Sequence, residues 1–186
     1  MWRRVVFAVA LLPVCWLGMM LVHEGGHMLA AVCTGGTVTR LVWPLWGFSR
    51  TDLGENPHPL IVVWGGPLCG ALFPVLASVL VRGIHRKSGP VSLELFSGFC
   101  LLANGLYLSV GTIASRGGVG DIRDLIKWGT PVWLLWLVGL TLTAAGLFQW
   151  HRLGNAMGLA RVSSIEMWIV LCTSVALIVA AACASA

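Results

Sequence analysis

The stretch His23-Glu24-Gly25-Gly26-His27 is where this chain can do chemistry. Two histidines four positions apart stand on one face of a helix, so both imidazoles can reach one metal ion. Glu24 sits about 100° around the helix from His23, where it can touch a water at the metal without taking a ligand position. Zinc suits this donor set: it accepts imidazole nitrogen and carboxylate oxygen at about 2.0–2.2 Å, and its catalytic sites keep one of four positions open. The metal draws the pKa of water toward about 7, and a neighbouring carboxylate can then act as general base. Chance supplies roughly 0.003 such matches in a chain of this length and composition. The expectation is one catalytic zinc ion, held in part by His23 and His27, with Glu24 as the base.

The elements that must position these residues are apolar. Of 186 residues, 58% are hydrophobic and 10% charged, and the mean hydropathy is +0.88. A soluble domain has about 45–50% apolar and about 25% charged residues, so an ordinary globule is excluded. Five apolar segments stand out: Val5 into the Val22–Val32 region, Leu60 to Val81, Leu93 to Ser115, Val132 to Trp150, and Ile165 to Ala182. Each meets the spanning threshold of about 18 residues, and backbone groups in lipid must be satisfied within a segment, so helices are expected. The chain therefore reads as an all-α polytopic membrane protein of about five transmembrane helices. It forms one embedded domain over residues 1–186, with a core at about 14–133 and C-terminal spans at 132–150 and 165–182. Its surroundings are a lipid bilayer, with the cell membrane as the expected location.

Other features fit that class. Met1–Arg4 leads into an apolar run with no small-residue cleavage site after it, which reads as a retained first span. The six cysteines lie in or beside apolar stretches without a C-x-x-C pair, so neither a disulfide framework nor a zinc knuckle is indicated. The net charge of +5 is scattered at segment ends, as interfacial anchors rather than a nucleic-acid surface. Trp2, Trp43, Trp46, Trp64, Trp128, Trp133, Trp150 and Trp168 fall near segment ends, as expected of a headgroup belt. His85, Arg86 and Lys87 form a basic connection, and no internal repeat suggests a duplicated transporter.

Two loops bear on the site. Thr37-Val38-Thr39-Arg40-Leu41-Val42-Trp43, between Gly35-Gly36 and Pro44, is β-branched and roughly alternating, which predicts a strand or hairpin at the interface. Arg116-Gly117-Gly118-Val119-Gly120-Asp121 follows the third span. Spans one and three run in the same direction if span two crosses, and His23 lies about 28 Å beyond Arg4 at 1.5 Å per residue. The end of the first helix and the loop after the third then share one face, and glycines let the chain fold back. Asp121 is the preferred third ligand on this geometry, ahead of Asp124 and then His58 or Glu55; Asp121 is also a plausible helix N-cap. Asn104 could orient substrate, stabilise an oxyanion, or bond between helices. Arg123 could aid the oxyanion or pair with Asp124. Gly65-Gly66-Pro67, with Gly70 and Pro74, fits close helix packing or a place beside the site.

These residues together resemble the site-2 protease family of intramembrane zinc metalloproteases. The likeness rests on the H-E-x-x-H near the end of the first core helix, the Gly-Gly-Thr-Val-Thr stretch, the Gly-Pro of the second span and an Asp after the third. It covers about Val14 to Trp133, and Gly120–Leu125 with Gly129-Thr130-Pro131 looks like the third-ligand region of compact members. Ile122 follows Asp121 where the family usually has Asp-Gly, and Gly70 stands near where an Asn often follows Gly-Pro. The resemblance implies zinc ligation by His23, His27 and Asp121, with Glu24 as base. It also implies hydrolysis of a peptide bond in or next to a transmembrane segment of a membrane protein or peptide. Thr37, Val38 and Thr39 would hold an unwound substrate by strand addition. A regulatory membrane partner or a second copy of the chain would fit as well. Two rival readings use the same residues: a non-catalytic protein that binds zinc or a partner, and a channel or transporter with His23, Glu24 and Asp121 on an ion path.

Overall fold

A computed structural model describes residues 2–85, 90–114, 120–154 and 162–184. Arg86 and Lys87, Ser115 to Val119, and Arg161 lie outside the described residues. The described chain runs α1 (Trp2–Cys33), β1 (Val38–Val42), β2 (Arg50–Leu53), α2 (Pro59–His85), α3 (Val91–Ala114), α4 (Asp121–Lys127), α5 (Val132–Gly154) and α6 (Ser164–Ala184). The five apolar segments expected from the sequence are α1, α2, α3, α5 and α6, each long and apolar enough to cross a membrane. Pro13, Pro67 and Pro74 lie inside these helices. Neighbouring helices and polar side chains re-satisfy backbone groups that proline frees, which makes this tolerable in a membrane setting.

Small residues let the helices approach. A Cβ on Gly26 would stand 2.3 Å from the Gly65 carbonyl oxygen, so α1 and α2 meet nearly backbone to backbone. Gly105 and Gly139 do the same for α3 and α5. One buried cluster joins α2, α3, α4 and α5 through Ala71, Leu101, Leu108, Ile122, Leu125, Leu135 and Leu142. A second joins α1 to α6 and α3 around Phe7, Leu11, Cys15 and Val170. Large apolar side chains such as Leu137, Leu147, Ile169 and Val175 remain exposed on the perimeter, as a lipid-facing surface requires.

The strand expected at residues 37–43 is half of an antiparallel hairpin. Val38 lies opposite Leu53 and Val42 opposite Arg50, with a register shift between Val38 and Arg40 that marks a bulge at Thr39. Thr37 extends the ladder by bonding Glu55 and Gly54 through its backbone. The hairpin folds back along α1 instead of standing off it. Trp43 Nε1 donates to the Leu17 carbonyl oxygen at 3.2 Å, and the rings of Phe48 and Trp16 are 6.1 Å apart. This corrects the reading of Trp43 as a headgroup ring: it is buried among Leu17, Met20 and Ala181, midway along α1. A hairpin can sit there because its ladder pairs its own backbone and its tryptophan seals it against the helix.

Helix α4 is only seven residues long, yet it fixes the approach of Asp121. Gly120, at φ 56°, takes the N-cap in the left-handed region that favours glycine. Ile122 and Leu125 are fully buried, and Ile122 fills the space left open by the missing side chain of Gly111. Burying two such side chains is worth about 1.5–3 kcal/mol each relative to exposure. Ile122, the residue that departs from Asp-Gly, is therefore the anchor that holds α4 in place.

Candidate metal centre

Helical spacing puts His23 and His27 one turn apart on α1, with ring centroids 4.9 Å apart. Each imidazole is oriented by its Nδ1. His27 Nδ1 donates to the Val62 carbonyl oxygen on α2 at 2.8 Å. His23 Nδ1 lies 2.7 Å from Asn104 Oδ1 on α3, while Asn104 Nδ2 donates to the Cys100 carbonyl oxygen at 2.9 Å. A carbonyl oxygen can only accept, so both Nδ1 atoms carry their protons, and in the neutral rings both Nε2 atoms present lone pairs. Those lone pairs converge on Asp121. Oδ2 of Asp121 lies 2.9 Å from His23 Nε2 and 3.3 Å from His27 Nε2, and the two Nε2 atoms are 3.2 Å apart.

Three acceptor atoms this close need a cation among them, either a proton or a metal ion. Donors about 2.0–2.1 Å from a tetrahedral zinc stand about 3.4 Å from one another, close to the observed triangle. Gly66 supplies the floor of the cradle: a Cβ there would come within 2.2 Å of His27 Nε2 and 2.8 Å of His23 Nε2. The donor set and the space at Gly66 both fit a zinc ion. Where a proton stands in for the metal ion on Nε2 of His23 or His27, burial alone would raise the Asp121 carboxyl, but the hydrogen bonds and positive charge of the protonated imidazoles outweigh it. They hold the group well below the usual carboxylate range, so Asp121 enters as an anion.

Asp121 is itself held from behind. Its backbone N–H donates to the Tyr107 hydroxyl at 3.0 Å, and the Tyr107 ring lies edge-on to His23 with centroids 6.0 Å apart. Of the three side chains, Asp121 is the most exposed, at 22% against 12% and 8% for His23 and His27, so the cluster opens on its side.

Glu24 is 3% exposed and stands apart from the converging group. Its two carboxylate oxygens are occupied separately: Ser49 Oγ donates to Oε1 and Thr51 Oγ1 to Oε2, both at 2.7 Å. Neither hydroxyl was expected from the sequence. The alternation Ser49-Arg50-Thr51-Asp52 would have given the signal, because residues two apart share one strand face. Tyr107, the single tyrosine, was also missed as part of the site, whereas Gly66, read as close packing or a place beside the site, lies beside the two imidazoles.

The remaining candidates fall in different places. Asn104 is 1% exposed and bridges α3 to His23, so it orients a histidine and faces no open space. The room beside Gly70 is taken by the Asn104 amide, whose Oδ1 would lie 3.0 Å from a Cβ there. Thr37, Val38 and Thr39 belong to the hairpin; Thr39 Oγ1 donates to the Asp52 carbonyl oxygen. Asp124 lies further along α4, outside the converging group, and His58 and Glu55 are exposed ahead of α2. Arg123 is exposed, and no ion pair joins it to Asp124 among the described residues. Asp121 is the first residue of α4 and Gly120 is its cap, so the capping alternative for Asp121 does not apply.

Comparisons with protein-family models, with curated proteins and with solved structures find no match to this chain.

Proposed function

We propose that this chain is a membrane-embedded zinc endopeptidase of the site-2 protease type, acting on a transmembrane protein or peptide, with the cell membrane as its setting. The observation that carries the reading is the convergence of three acceptor atoms beside a carboxylate that is held out of their group. His23, His27 and Asp121 would hold the ion. A zinc ion there supplies Lewis acidity, polarising a peptide carbonyl and making water easier to deprotonate.

The chain's own residues supply the rest. Glu24 takes a proton from the attacking water and returns it to the leaving amine, which is general acid–base work by one carboxylate. Asn104 and the Val62 carbonyl keep both Nε2 atoms free of protons and facing inward. Water enters on the Asp121 side, where the cluster is most exposed. The peptide bonds of an intact substrate helix are shielded, so the substrate must unwind locally. The hairpin offers an extended edge with unpaired backbone groups, suited to holding an unwound segment by strand addition.

The test is cleavage by the full chain, reconstituted in lipid vesicles with zinc. The probe is a synthetic single-span peptide whose apolar helix is broken by Gly-Pro. Cleavage by the natural chain and its loss in Glu24→Gln, with zinc retained, supports the reading. Equal cleavage by both proteins overturns the mechanism, and a natural chain that binds zinc without cleaving favours a non-catalytic role.

A further inference from the structure

We infer that Ser49 and Thr51 are positioning residues for Glu24, so that the hairpin and not α1 alone sets the geometry of the base. This inference rests on the reading of Glu24 as general base. Three independent features support it.

Ser49 and Thr51 meet the two oxygens of one carboxylate separately, each at 2.7 Å. Two donors on two oxygens fix the rotation of the carboxylate plane, which a single hydrogen bond leaves free. An ionised carboxylate has about four lone-pair sites, so the clamp still leaves acceptor capacity for water. Next, the strand face is specified twice. Arg50 and Asp52, which alternate with the two hydroxyls, pair with one another at 3.1 Å on an exposed face. Slipping β2 by one residue would turn Arg50 and Asp52 toward Glu24 and lose both hydroxyl contacts. Finally, the hairpin is fastened to the helix that carries Glu24. Trp43 bonds Leu17, and Phe48 meets Trp16, both well below Glu24 along α1. The clamp therefore sits at the start of β2, with Ser49 just before the strand and Thr51 on it, in a hairpin whose position is fixed relative to α1.

The test compares the natural chain with Ser49→Ala/Thr51→Val and with the conservative variants Ser49→Thr and Thr51→Ser, all full length and reconstituted with zinc. Two readouts are taken. One is carbodiimide labelling of Glu24 with glycine ethyl ester, located by mass spectrometry, which needs no activity. The other is kcat and KM on the single-span probe peptide. The double variant should keep one zinc per chain and label Glu24 several-fold faster. Its kcat should fall roughly ten- to a hundredfold with KM little changed, the loss expected when a reacting group is misplaced by about 1 Å. The conservative variants should stay near the natural chain in both readouts. Unchanged labelling and unchanged kcat in the double variant overturn the inference. So does loss of zinc in the double variant accompanied by natural labelling in the single variants Ser49→Ala and Thr51→Val. If the natural chain does not cleave the probe, the protease reading fails, while the labelling still decides whether the hairpin holds Glu24.

Discussion

His23 Nδ1 and Asn104 Oδ1 stand 2.7 Å apart where α1 packs on α3, and that hydrogen bond decides which nitrogen of His23 faces Asp121. A transmembrane asparagine whose amide is fixed by the Cys100 carbonyl can only offer its oxygen to the imidazole. The bond is a structural contact between two spans and also the means by which the His23 imidazole keeps its proton on Nδ1.

Replacing Asn104 with Leu should therefore weaken zinc binding by about 10–100-fold, the usual effect of removing a residue that orients a ligand. Asn104→Asp keeps an acceptor at the same place and should lose less. Competition against a chromogenic chelator measures both. Natural affinity in Asn104→Leu would show that the contact serves packing alone.

Gly66 and Gly25 provide a paired test of the cradle. A methyl group at Gly66 would meet Nε2 of His23 and of His27, whereas a Cβ at Gly25 has nothing within 4 Å. Gly66→Ala should bind zinc at least tenfold more weakly, since the neighbouring atoms are the two Nε2 atoms that would hold the ion. Gly25→Ala should bind normally and be slightly more stable, by up to about 1 kcal/mol, because alanine is the better helix former. Metal titration and thermal unfolding of each variant in the same detergent read the two effects.

Tyr107→Phe removes the hydroxyl that accepts the Asp121 backbone N–H. Leaving a partly buried donor without that partner costs about 1–3 kcal/mol. The start of α4 should loosen, seen as faster amide exchange at Asp121, and zinc affinity should fall by about tenfold. Unchanged exchange at Asp121 would mean that Ile122 and Leu125 anchor α4 unaided.

The legible part of this molecule was the part with a period or a fixed spacing. Five apolar segments became five helices because length and hydropathy leave lipid-compatible chain few alternatives. The convergence of His23 and His27 was readable because a helix converts a spacing of four into a shared face. Asp121 could be ranked first among several donors by chain direction alone. The rest depended on tertiary contacts that no spacing encodes. The Val62 carbonyl is a backbone group, and any residue type would supply it. Ser49 and Thr51 reach Glu24 only because the hairpin folds back along α1 through Trp43, whose ring looked like an interfacial anchor in sequence. Asn104 admitted three readings, and its partner on α1 distinguishes them.

The central claim is that His23, His27 and Asp121 surround a single metal ion. Zinc-edge X-ray absorption on the zinc-loaded chain, set beside Asp121→Ala and Asp124→Ala, tests it most directly. The expected result is one zinc per chain with two imidazoles and oxygen donors and no sulfur. Asp121→Ala should lose an oxygen donor or the ion itself, and Asp124→Ala should leave the spectrum unchanged. Sulfur at the metal, or a spectrum that responds to Asp124→Ala and not to Asp121→Ala, would contradict it.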